Sequence, residues 1–355
     1  MRRALLLAGA TLALGLFAVK RGTGMKLDGK TAIVTGASRG LGRAIARELA
    51  KRGVKRIAIC ARTKRDLDEA RRELEQLGAI VHSEVCDLRD HFYTTRFIAN
   101  ARDVLGPFDL LVANAATITV APVEVLDRRD FADAMASIFY SALHPALAVL
   151  PEMRKRKSGT IAFITSIGGR IGVPHLAPYS AAKFAEVGLA EALRAEVASD
   201  GVHVLTVVPG LMRTGSFTRA RFKGDAEKEY TWFGASATAP LLSIDADRAA
   251  RRIVKAIERG NAELTFTPAA RIASKLAVLV PNVFAAAMKL AGRFLPKAGL
   301  MPVPRAREGL AIEATSPSKA VGLVRARGRP AAARHGQLRA AHGQLRARSA
   351  QVRAQ

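Results

Sequence analysis

Residues 31–42 read TAIVTGASRGLG, an apolar strand-like run that leads into a glycine-rich turn. Gly36 allows the tight turn, Gly40 lets the backbone approach a pyrophosphate, and Gly42 allows the next helix to pack closely on the sheet. The free N–H groups at the start of that helix suit a bound anion. The stretch therefore predicts a strand, turn and helix that bind a dinucleotide.

Short β-branched runs alternate with helical periods on both sides of this stretch. The predicted strands are TAIVTG at 31–36, RIAICA at 56–61, AIVHSEVC at 79–86, FDLLVANAA at 108–116, TIAFITS at 160–166 and HVLTVVPG at 203–210. The predicted helices cover 40–53, 66–78, 91–105, 128–157 and 178–199. This alternation is typical of βαβ units. It predicts an α/β fold, a single Rossmann-type doubly wound parallel sheet with helices on both faces.

The end of the second predicted strand bears on the choice of cofactor. Ala61 and Arg62 stand where a site for NAD(H) often carries an acidic residue. Arg62 and Arg39 offer two guanidinium groups that can hold a 2′-phosphate. The pair favours NADP(H), and the alternative is that both arginines are solvent-facing charges.

Ser166, Tyr179 and Lys183 form a candidate catalytic group. Tyr179 and Lys183 are four residues apart in YSAAK and share one helix face, so the ammonium can favour the phenolate. Such a phenol can donate a proton to a carbonyl oxygen, and the Ser166 hydroxyl can hydrogen-bond the same oxygen. Tyr-x-x-x-Lys alone is common on helices. The position of this one, after a strand-end Ser and a dinucleotide turn, predicts carbonyl reduction or alcohol oxidation.

Over roughly residues 28–260 the chain resembles the short-chain dehydrogenase/reductase family. The matching motifs, in the family's order, are TGASRGLG at 35–42, Asp87, Asn114 in VANAA, Ser166, Tyr179-S-A-A-Lys183 and PGLMRT at 209–214. The resemblance implies an NADP(H)-dependent enzyme acting on a small-molecule carbonyl/alcohol pair and assembling as a homodimer or tetramer. A cofactor-binding membrane-tethered sensor or scaffold with little turnover is the alternative.

The resemblance also assigns cofactor contacts. Asp87 would contact the adenine, Asn114 would lie beside the cofactor, and Lys183 would bind the nicotinamide ribose. Pro209, Gly210 and Thr214 would flank the nicotinamide. The full predicted cofactor set is Gly36, Ser38, Arg39, Gly40, Leu41, Gly42, Arg62, Asp87, Asn114, Tyr179, Lys183, Pro209, Gly210 and Thr214.

The chain departs from the family pattern at a helix position. Counting back from Leu150-Pro151 places Ile138 where the family carries an Asn that completes its catalytic tetrad. Ile cannot hold the water that relays protons to the Lys. Ser137, Tyr140 or Ser141 could compensate.

Substrate residues are sought in the predicted lid, residues 211–240. It contains Phe217, Phe222, Tyr230, Trp232 and Phe233, in a chain that is only 5% aromatic. Apolar walls suit a lipophilic substrate, and Phe217 and Trp232 are predicted to contact it together with Ser166 and Tyr179. The alternative is that these rings pack the lid against the core or a partner.

The N-terminus carries a second apolar feature. Residues 4–19 form an uncharged run between Arg2-Arg3 and Lys20-Arg21. No clear cleavage site follows it, so an uncleaved membrane anchor over residues 1–24 is predicted, with a signal peptide as the rival. The catalytic domain, 25–262, is then expected on the cytoplasmic face of a membrane. If translation starts at Met25, it is expected in the cytoplasm.

The chain of 355 residues has a formal net charge of +26, and its end is strongly basic. Residues 263–300 interleave cations with apolar residues, which predicts a helical segment that either closes the domain with ordinary helices or lies on a membrane as a basic amphipathic surface. Residues 301–355 carry a net +9 and few apolar residues, which predicts a disordered tail. It has no aromatic residue to stack bases, so no specific nucleic acid partner is expected. Cys60 and Cys86 give no metal-ligand spacing, which predicts buried free thiols and no metal site.

Overall fold

The computed structural model describes residues 24–239, 243–299 and 305–338. Its centre is one seven-stranded sheet in which every pair of neighbouring strands is parallel. The strands are β1 (Thr31–Thr35), β2 (Arg56–Ala61), β3 (Ile80–Val85), β4 (Leu110–Ala113), β5 (Gly159–Ile164), β6 (Val202–Val208) and β7 (Glu263–Thr265). Their spatial order is β7-β6-β5-β4-β1-β2-β3. The predicted doubly wound fold is confirmed.

Helices cover both faces of this sheet. They are α1 (Gly40–Lys51), α2 (Lys64–Gln76), α3 (His91–Leu105), α4 (Arg128–Ala134), α5 (Ser141–Lys155), α6 (Ala177–Val197), α7 (Ala226–Thr238) and α8 (Ala246–Glu258). The side chain of Asp90 caps α3 by accepting the Tyr93 N–H, and Asp127 with Asp130 forms a capping box on α4. Apolar residues of α1, α2 and α8 join a buried cluster on one face of the sheet, and those of α3, α5 and α6 join a second cluster on the other face.

The helical run from α4 to α5 is long and rich in apolar residues. Within the described residues, the run Arg128–Lys155 is the one helix long and apolar enough to cross a membrane. Half of its most apolar window is buried inside the protein. A core helix of a globular domain passes the same test, so this run is weak evidence for a membrane span.

One predicted boundary differs from the structure. β7 pairs with β6, so residues 263–265 belong to the Rossmann sheet and the catalytic domain does not end at 262. Beyond β7, α9 (Pro268–Leu279) and α10 (Pro281–Gly292) follow, which agrees with the predicted helical character of 263–300.

The prediction of a disordered tail is wrong for residues 305–338. They contain a short strand, Arg307–Glu308, which pairs with Arg221–Phe222, and two helices, α11 (Gly309–Thr315) and α12 (Lys319–Arg334). Small residues make this docking possible, since a Cβ on Gly328 would overlap the ring of Phe217. Apolar side chains of the segment are thus buried in a third hydrophobic cluster. Residues 1–23 and 339–355, where the rest of the anchor and tail predictions fall, lie outside the described residues.

Candidate active site

The predicted site residues meet at one edge of the sheet, where the strands end at their carboxyl termini. The glycine turn follows β1, Asn114 follows β4, Ser166 follows β5 and Pro209 follows β6. β1 lies between β4 and β2, so the direction of chain progression reverses there. Such a switch point is where doubly wound sheets bind ligands.

Asn114 fixes the shape of the glycine turn. Its side-chain amide donates to the carbonyl oxygens of Thr35 at 3.0 Å and of Gly36 at 3.4 Å. The Asn114 and Ala115 N–H groups both donate to the Thr35 hydroxyl, at 2.8 and 3.1 Å. Gly36 has a φ of 64°, and a Cβ on Gly42 would lie 2.5 Å from the Asn114 amide. The motif glycines are therefore required by the backbone and by close approach.

Ser166 and Tyr179 face a common point beside Gly168. A Cβ at Gly168 would lie 3.1 Å from Cε1 of Tyr179 and 3.5 Å from Oγ of Ser166. The Ser166 hydroxyl oxygen accepts the Gly168 N–H at 3.0 Å. Its own hydrogen stays available to donate to another group. The structure thus places two of the three predicted catalytic side chains beside the same glycine.

Lys183 lies one helical turn further along α6 and is buried with a partner that the sequence analysis missed. Its ammonium donates to the Ile164 carbonyl oxygen at 2.8 Å and to Oε2 of Glu186 at 2.7 Å. Both side chains of this pair are almost fully buried. Burial raises the pKa of Glu186, and the Lys183 ammonium opposes that rise. The three-residue spacing of Lys183 and Glu186 on a helix is the signal that could have found the pair.

A stretch of π-helix, Met135–Tyr140, joins α4 to α5. Ile138 is fully buried in it and packs with Tyr179 and Ala182. Ile138 therefore supports the tyrosine ring by contact and offers no polar group.

The three residues considered as substitutes for the missing Asn are engaged elsewhere. The Ser137 and Thr117 hydroxyls are 2.7 Å apart, and the Ser141 hydroxyl donates to the Ala136 carbonyl oxygen. Tyr140 stacks on His144. Ser137 is buried and is the polar candidate adjacent in sequence to Ile138.

A group of arginines surrounds the end of β2. Arg39 forms an ion pair with the buried Asp66 at 3.2 Å, and Arg62 is exposed. Burial, and then the guanidinium of Arg219, lower the pKa of Arg39. Desolvation by nearby protein atoms lowers the pKa of the Arg62 guanidinium, and Arg89, Arg39 and Arg221 add to that effect against Asp87. The neighbouring guanidinium groups form a concentration of positive charge that favours a bound anion.

The remaining cofactor candidates lie on the same edge. Asp87 is bound to Arg89 at 2.6 Å, and this hydrogen bonding lowers the pKa of Asp87. The Pro209 carbonyl oxygen accepts the Ile167 N–H at 2.7 Å. The buried Thr214 hydroxyl accepts the Ser216 N–H at 3.1 Å. Ser38 and Leu41 are buried within the turn, and Gly210 lies beside Thr267.

The C-terminal segment covers part of this site. The Gly40 N–H, predicted to face a pyrophosphate, donates to the His335 carbonyl oxygen at 2.8 Å. The side-chain amide nitrogen of Gln337 lies above the same glycine, and the backbone carbonyl oxygen of Gln337 accepts from Nε of Arg219 at 3.1 Å. Arg219 is a second residue that sequence reasoning missed. Its Nη2 is buried and has no hydrogen-bond partner within the described residues.

The lid aromatics divide into two groups. Phe217, Phe222 and Tyr230 are buried in the third cluster, and the Tyr230 hydroxyl donates to the Glu313 carboxylate at 2.5 Å. Phe217 therefore packs the lid against the C-terminal segment, and its predicted contact with substrate is wrong. Trp232 is only half-buried on the same cluster, and its Nε1 donates to Glu229 at 2.6 Å.

The residues at this edge of the sheet suit the transfer of hydride to or from a dinucleotide. They define the protein as a dinucleotide-dependent oxidoreductase. Residues 30–223 match the model of the short chain dehydrogenase family, and the chain belongs to that family. The predicted resemblance is confirmed. The family uses nicotinamide cofactors.

Three relatives and one solved structure are similar to this chain in sequence or in fold. Dehydrogenase/reductase SDR family member 4 from Bos taurus is 34% identical over 57% of this chain and 72% of its own length. An SDR family protein 7-like from Anopheles gambiae is 31% identical over 74% and 83%. The 3-dehydrosphinganine reductase of Danio rerio is 29% identical over 69% and 73%. A putative short-chain alcohol dehydrogenase from Sinorhizobium meliloti superimposes with a TM-score of 0.60 at 26% identity, over 68% of this chain and 96% of its own.

Proposed function

We propose that this protein is an NADP(H)-dependent oxidoreductase that interconverts a ketone and an alcohol on a lipophilic substrate. The observation that carries the proposal is the common position faced by Ser166 and Tyr179 beside Gly168. A carbonyl oxygen placed there would accept hydrogen bonds from both hydroxyls.

The roles of the three side chains follow from their contacts. The Tyr179 hydroxyl donates the proton to the carbonyl oxygen in reduction and recovers it in oxidation. The Ser166 hydroxyl, whose oxygen already accepts the Gly168 N–H, donates to the same carbonyl oxygen. Lys183 uses two of its three N–H groups on Ile164 and Glu186 and keeps one for the reacting side. The cofactor, when bound, supplies or receives the hydride at the carbonyl carbon.

The residues present fit a phosphorylated dinucleotide. Gly36 and Gly42 let the turn pack closely on Ala115 and Asn114, and Gly40 carries no side chain where a pyrophosphate would approach. The buried Nη2 of Arg219 lacks a partner among the described residues, and an anionic oxygen would satisfy it. Arg39 and Arg62 are the proposed 2′-phosphate ligands. Residues 335–337 occupy part of this space and have to move when the Gly40 N–H binds phosphate.

Apolar surface near Tyr179 supports a lipophilic substrate. Ile118, Val173, Trp232 and Ala235 are partly exposed side chains that pack on the third cluster together with Tyr179. Walls of this kind with few polar anchors suit an apolar ligand. One relative is named as a reductase of 3-dehydrosphinganine, which agrees with this substrate class.

The proposal includes the location of the enzyme in the cell and its assembly. We place the catalytic domain on the cytoplasmic face of a membrane, or in the cytoplasm if translation starts at Met25. Residues 1–24 are the proposed anchor, on the strength of their apolar run. A homodimer or tetramer is the proposed assembly.

The direct test follows NADPH oxidation by the full-length chain with a panel of ketones graded in hydrophobicity. Turnover that rises with hydrophobicity is the expected result. Faster turnover of small hydrophilic ketones would overturn the substrate class. Saturable NADPH binding without turnover of any ketone would overturn the enzyme assignment.

Replacing Arg39 and Arg62 by Gln is expected to change cofactor choice. Gln at position 39 can still donate to Asp66, so the turn keeps its support. Charge-assisted hydrogen bonds contribute about 1.5–3 kcal/mol, so the ratio of kcat/KM for NADPH over NADH should fall about 10- to 100-fold. Steady-state kinetics with both cofactors measures the ratio. Arg65→Gln, on the exposed side of α2, is the control, and an equal fall there would contradict the assignment.

A further inference from the structure

α9 and α10 expose an unusual amount of apolar surface. Ala270 is the only buried residue of α9, and α10 has none. The exposed apolar residues of these helices and of the residues next to them are Ile272, Leu276, Val278, Leu279, Val280, Val283, Leu290 and Phe294. Val278 is 77% exposed and Phe294 is 83% exposed. We call residues 268–297 the apolar hairpin. A contiguous exposed patch of this kind marks an interaction surface.

The charge of the apolar hairpin identifies its partner. Cations are interleaved with the exposed apolar residues, and no Asp or Glu occurs between Glu263 and Glu308. The cations of the hairpin are Arg271, Lys275, Lys289, Arg293 and Lys297, and all five are exposed. Apolar residues with only positive charges around them fit the interface of an anionic lipid bilayer, where the apolar side enters the acyl boundary and the cations contact headgroups.

A second copy of the chain fits this surface less well. A two-fold dimer places the same patch of both subunits face to face. Each apolar hairpin would then oppose its five cations to five of the same sign.

We propose that the apolar hairpin docks on anionic lipid surfaces and holds the domain there by a contact separate from the N-terminal run. The experiment places a single NBD fluorophore on Cys introduced at Val283, which is 68% exposed in α10. The native thiols do not compete, because Cys60 and Cys86 are buried and burial raises both pKa values, that of Cys86 to about 11. The matched control label is at Val104 in α3, which is 65% exposed.

Full-length protein is mixed with vesicles of phosphatidylcholine with or without phosphatidylglycerol. We expect the label at 283 to brighten and shift to the blue with anionic vesicles, while the label at 104 stays unchanged. Lys275→Gln with Lys289→Gln should weaken the vesicle-induced response at 283 about tenfold to thirtyfold in lipid concentration. The paired control is Lys155→Gln with Lys157→Gln, two exposed lysines outside the hairpin.

Three outcomes would overturn the proposal. Vesicle binding without a change in the fluorescence of the label at 283 would show that the N-terminal run alone binds the chain to the membrane. An equal change at 104 would show adsorption without orientation. A change at 283 that depends on protein concentration and needs no vesicles would show that a second copy covers the hairpin.

A different observation, the contact between residues 335–337 and the glycine turn, carries a second inference. We infer that the C-terminal segment competes with the cofactor for the start of α1, which rests on the proposed function. The Gly40 N–H donates to the His335 carbonyl oxygen, so it is not free for a pyrophosphate. Several polar atoms at this contact lack hydrogen bonds. Both ring nitrogens of His335, Oε1 of Gln337 and Nη2 of Arg219 are buried without partners within the described residues. An anion that pairs with Arg219 would supply a hydrogen bond that this contact lacks, which favours displacement of residues 335–337.

Two leucine variants on α12 test this competition in the full chain. A side chain on Gly328 would overlap Phe217, whereas nothing lies within 4 Å of a Cβ on Gly322. Gly328→Leu should undock α12 and lower the Kd for NADPH at least about fivefold relative to Gly322→Leu. Trp232, the only tryptophan, gives a fluorescence signal for the titration. Equal affinity of the two folded variants would overturn the inference.

A measurement on the unchanged protein guards against misfolding of the leucine variant. NADPH should accelerate tryptic cleavage after Arg325, Arg327 and Arg334, because displacement exposes these bonds. Protection of the same bonds by NADPH would overturn the competition. Failure of NADPH and NADH to bind any form of the chain would instead overturn the proposed cofactor.

Discussion

Tyr179→Phe is expected to lower kcat for ketone reduction by about 10²- to 10⁴-fold, the usual contribution of a positioned general acid. The variant keeps the ring that packs on Ile138 and loses only the hydroxyl that faces the Ser166 position. Folding and NADPH affinity should therefore stay close to those of the unchanged protein. Single-turnover absorbance of NADPH, with a separate titration of cofactor binding, distinguishes loss of chemistry from loss of binding.

Tyr140→Phe is the matched control for this substitution. Tyr140 is 43% exposed at the end of the π-helix and stacks on His144, away from the proposed proton transfer. Its loss should leave kcat unchanged. If Tyr179→Phe retained full turnover, the proton would have to come from another group, and the assignment of Tyr179 would be abandoned.

Lys183→Met should have the largest effect on stability. The substitution leaves Glu186 buried with its partner removed, and breaking a buried ion pair in this way costs about 3–5 kcal/mol. Chemical denaturation at fixed pH measures the free energy of unfolding. Turnover should be lost as well, since Lys183 is a proposed catalytic residue.

The cost of Lys183→Met should depend on pH. Burial raises the pKa of Glu186 in the folded state above its unfolded value, so the folded variant binds the proton more tightly than the unfolded chain does. The folded state is then least penalised at acid pH, and the penalty grows as pH rises above the unfolded value of about 4.3. Denaturation of variant and unchanged protein across this range should show a widening gap.

A double variant separates the structural role of the pair from its catalytic role. Lys183→Met with Glu186→Leu removes both charges and should recover much of the stability while turnover stays lost. Lys228→Met is the surface control, because Lys228 and Asp225 have the same spacing in an exposed pair, and no measurable change is expected. A double variant no more stable than the single one would show that an unpaired Glu186 is not the cause.

The sheet and its motifs could be predicted because each rests on local chemistry. The predicted strand at 56–61 and helix at 91–105 match the structure residue for residue, since β-branched runs and caps such as Asp90 act over a few residues. The glycine turn, Asn114 and Ser166 could be placed at one edge because they follow neighbouring parallel strands.

The parts that could not be predicted depend on contacts between distant residues. The docking of residues 305–338 relies on Gly328 and Gly234 fitting against Phe217 and Val324, and a composition count scores glycine as a mark of disorder. The sequence assigns Phe217 to the substrate for the same reason, because the segment that covers it is far away in sequence. The place of Arg219 at the site depends on a side-chain nitrogen that has no partner among the described residues, which no sequence pattern indicates.

The third cluster makes the C-terminal segment a structural part of the lid. Tyr230 is fully buried and its hydroxyl donates to Glu313, while Phe217 lies under Gly328. A shortened protein ending near residue 300 would present these rings, and the Tyr230 hydroxyl, to water. Low solubility is then the first property expected to change on truncation, so a recombinant enzyme cut back to its Rossmann portion would precipitate before its catalysis could be measured.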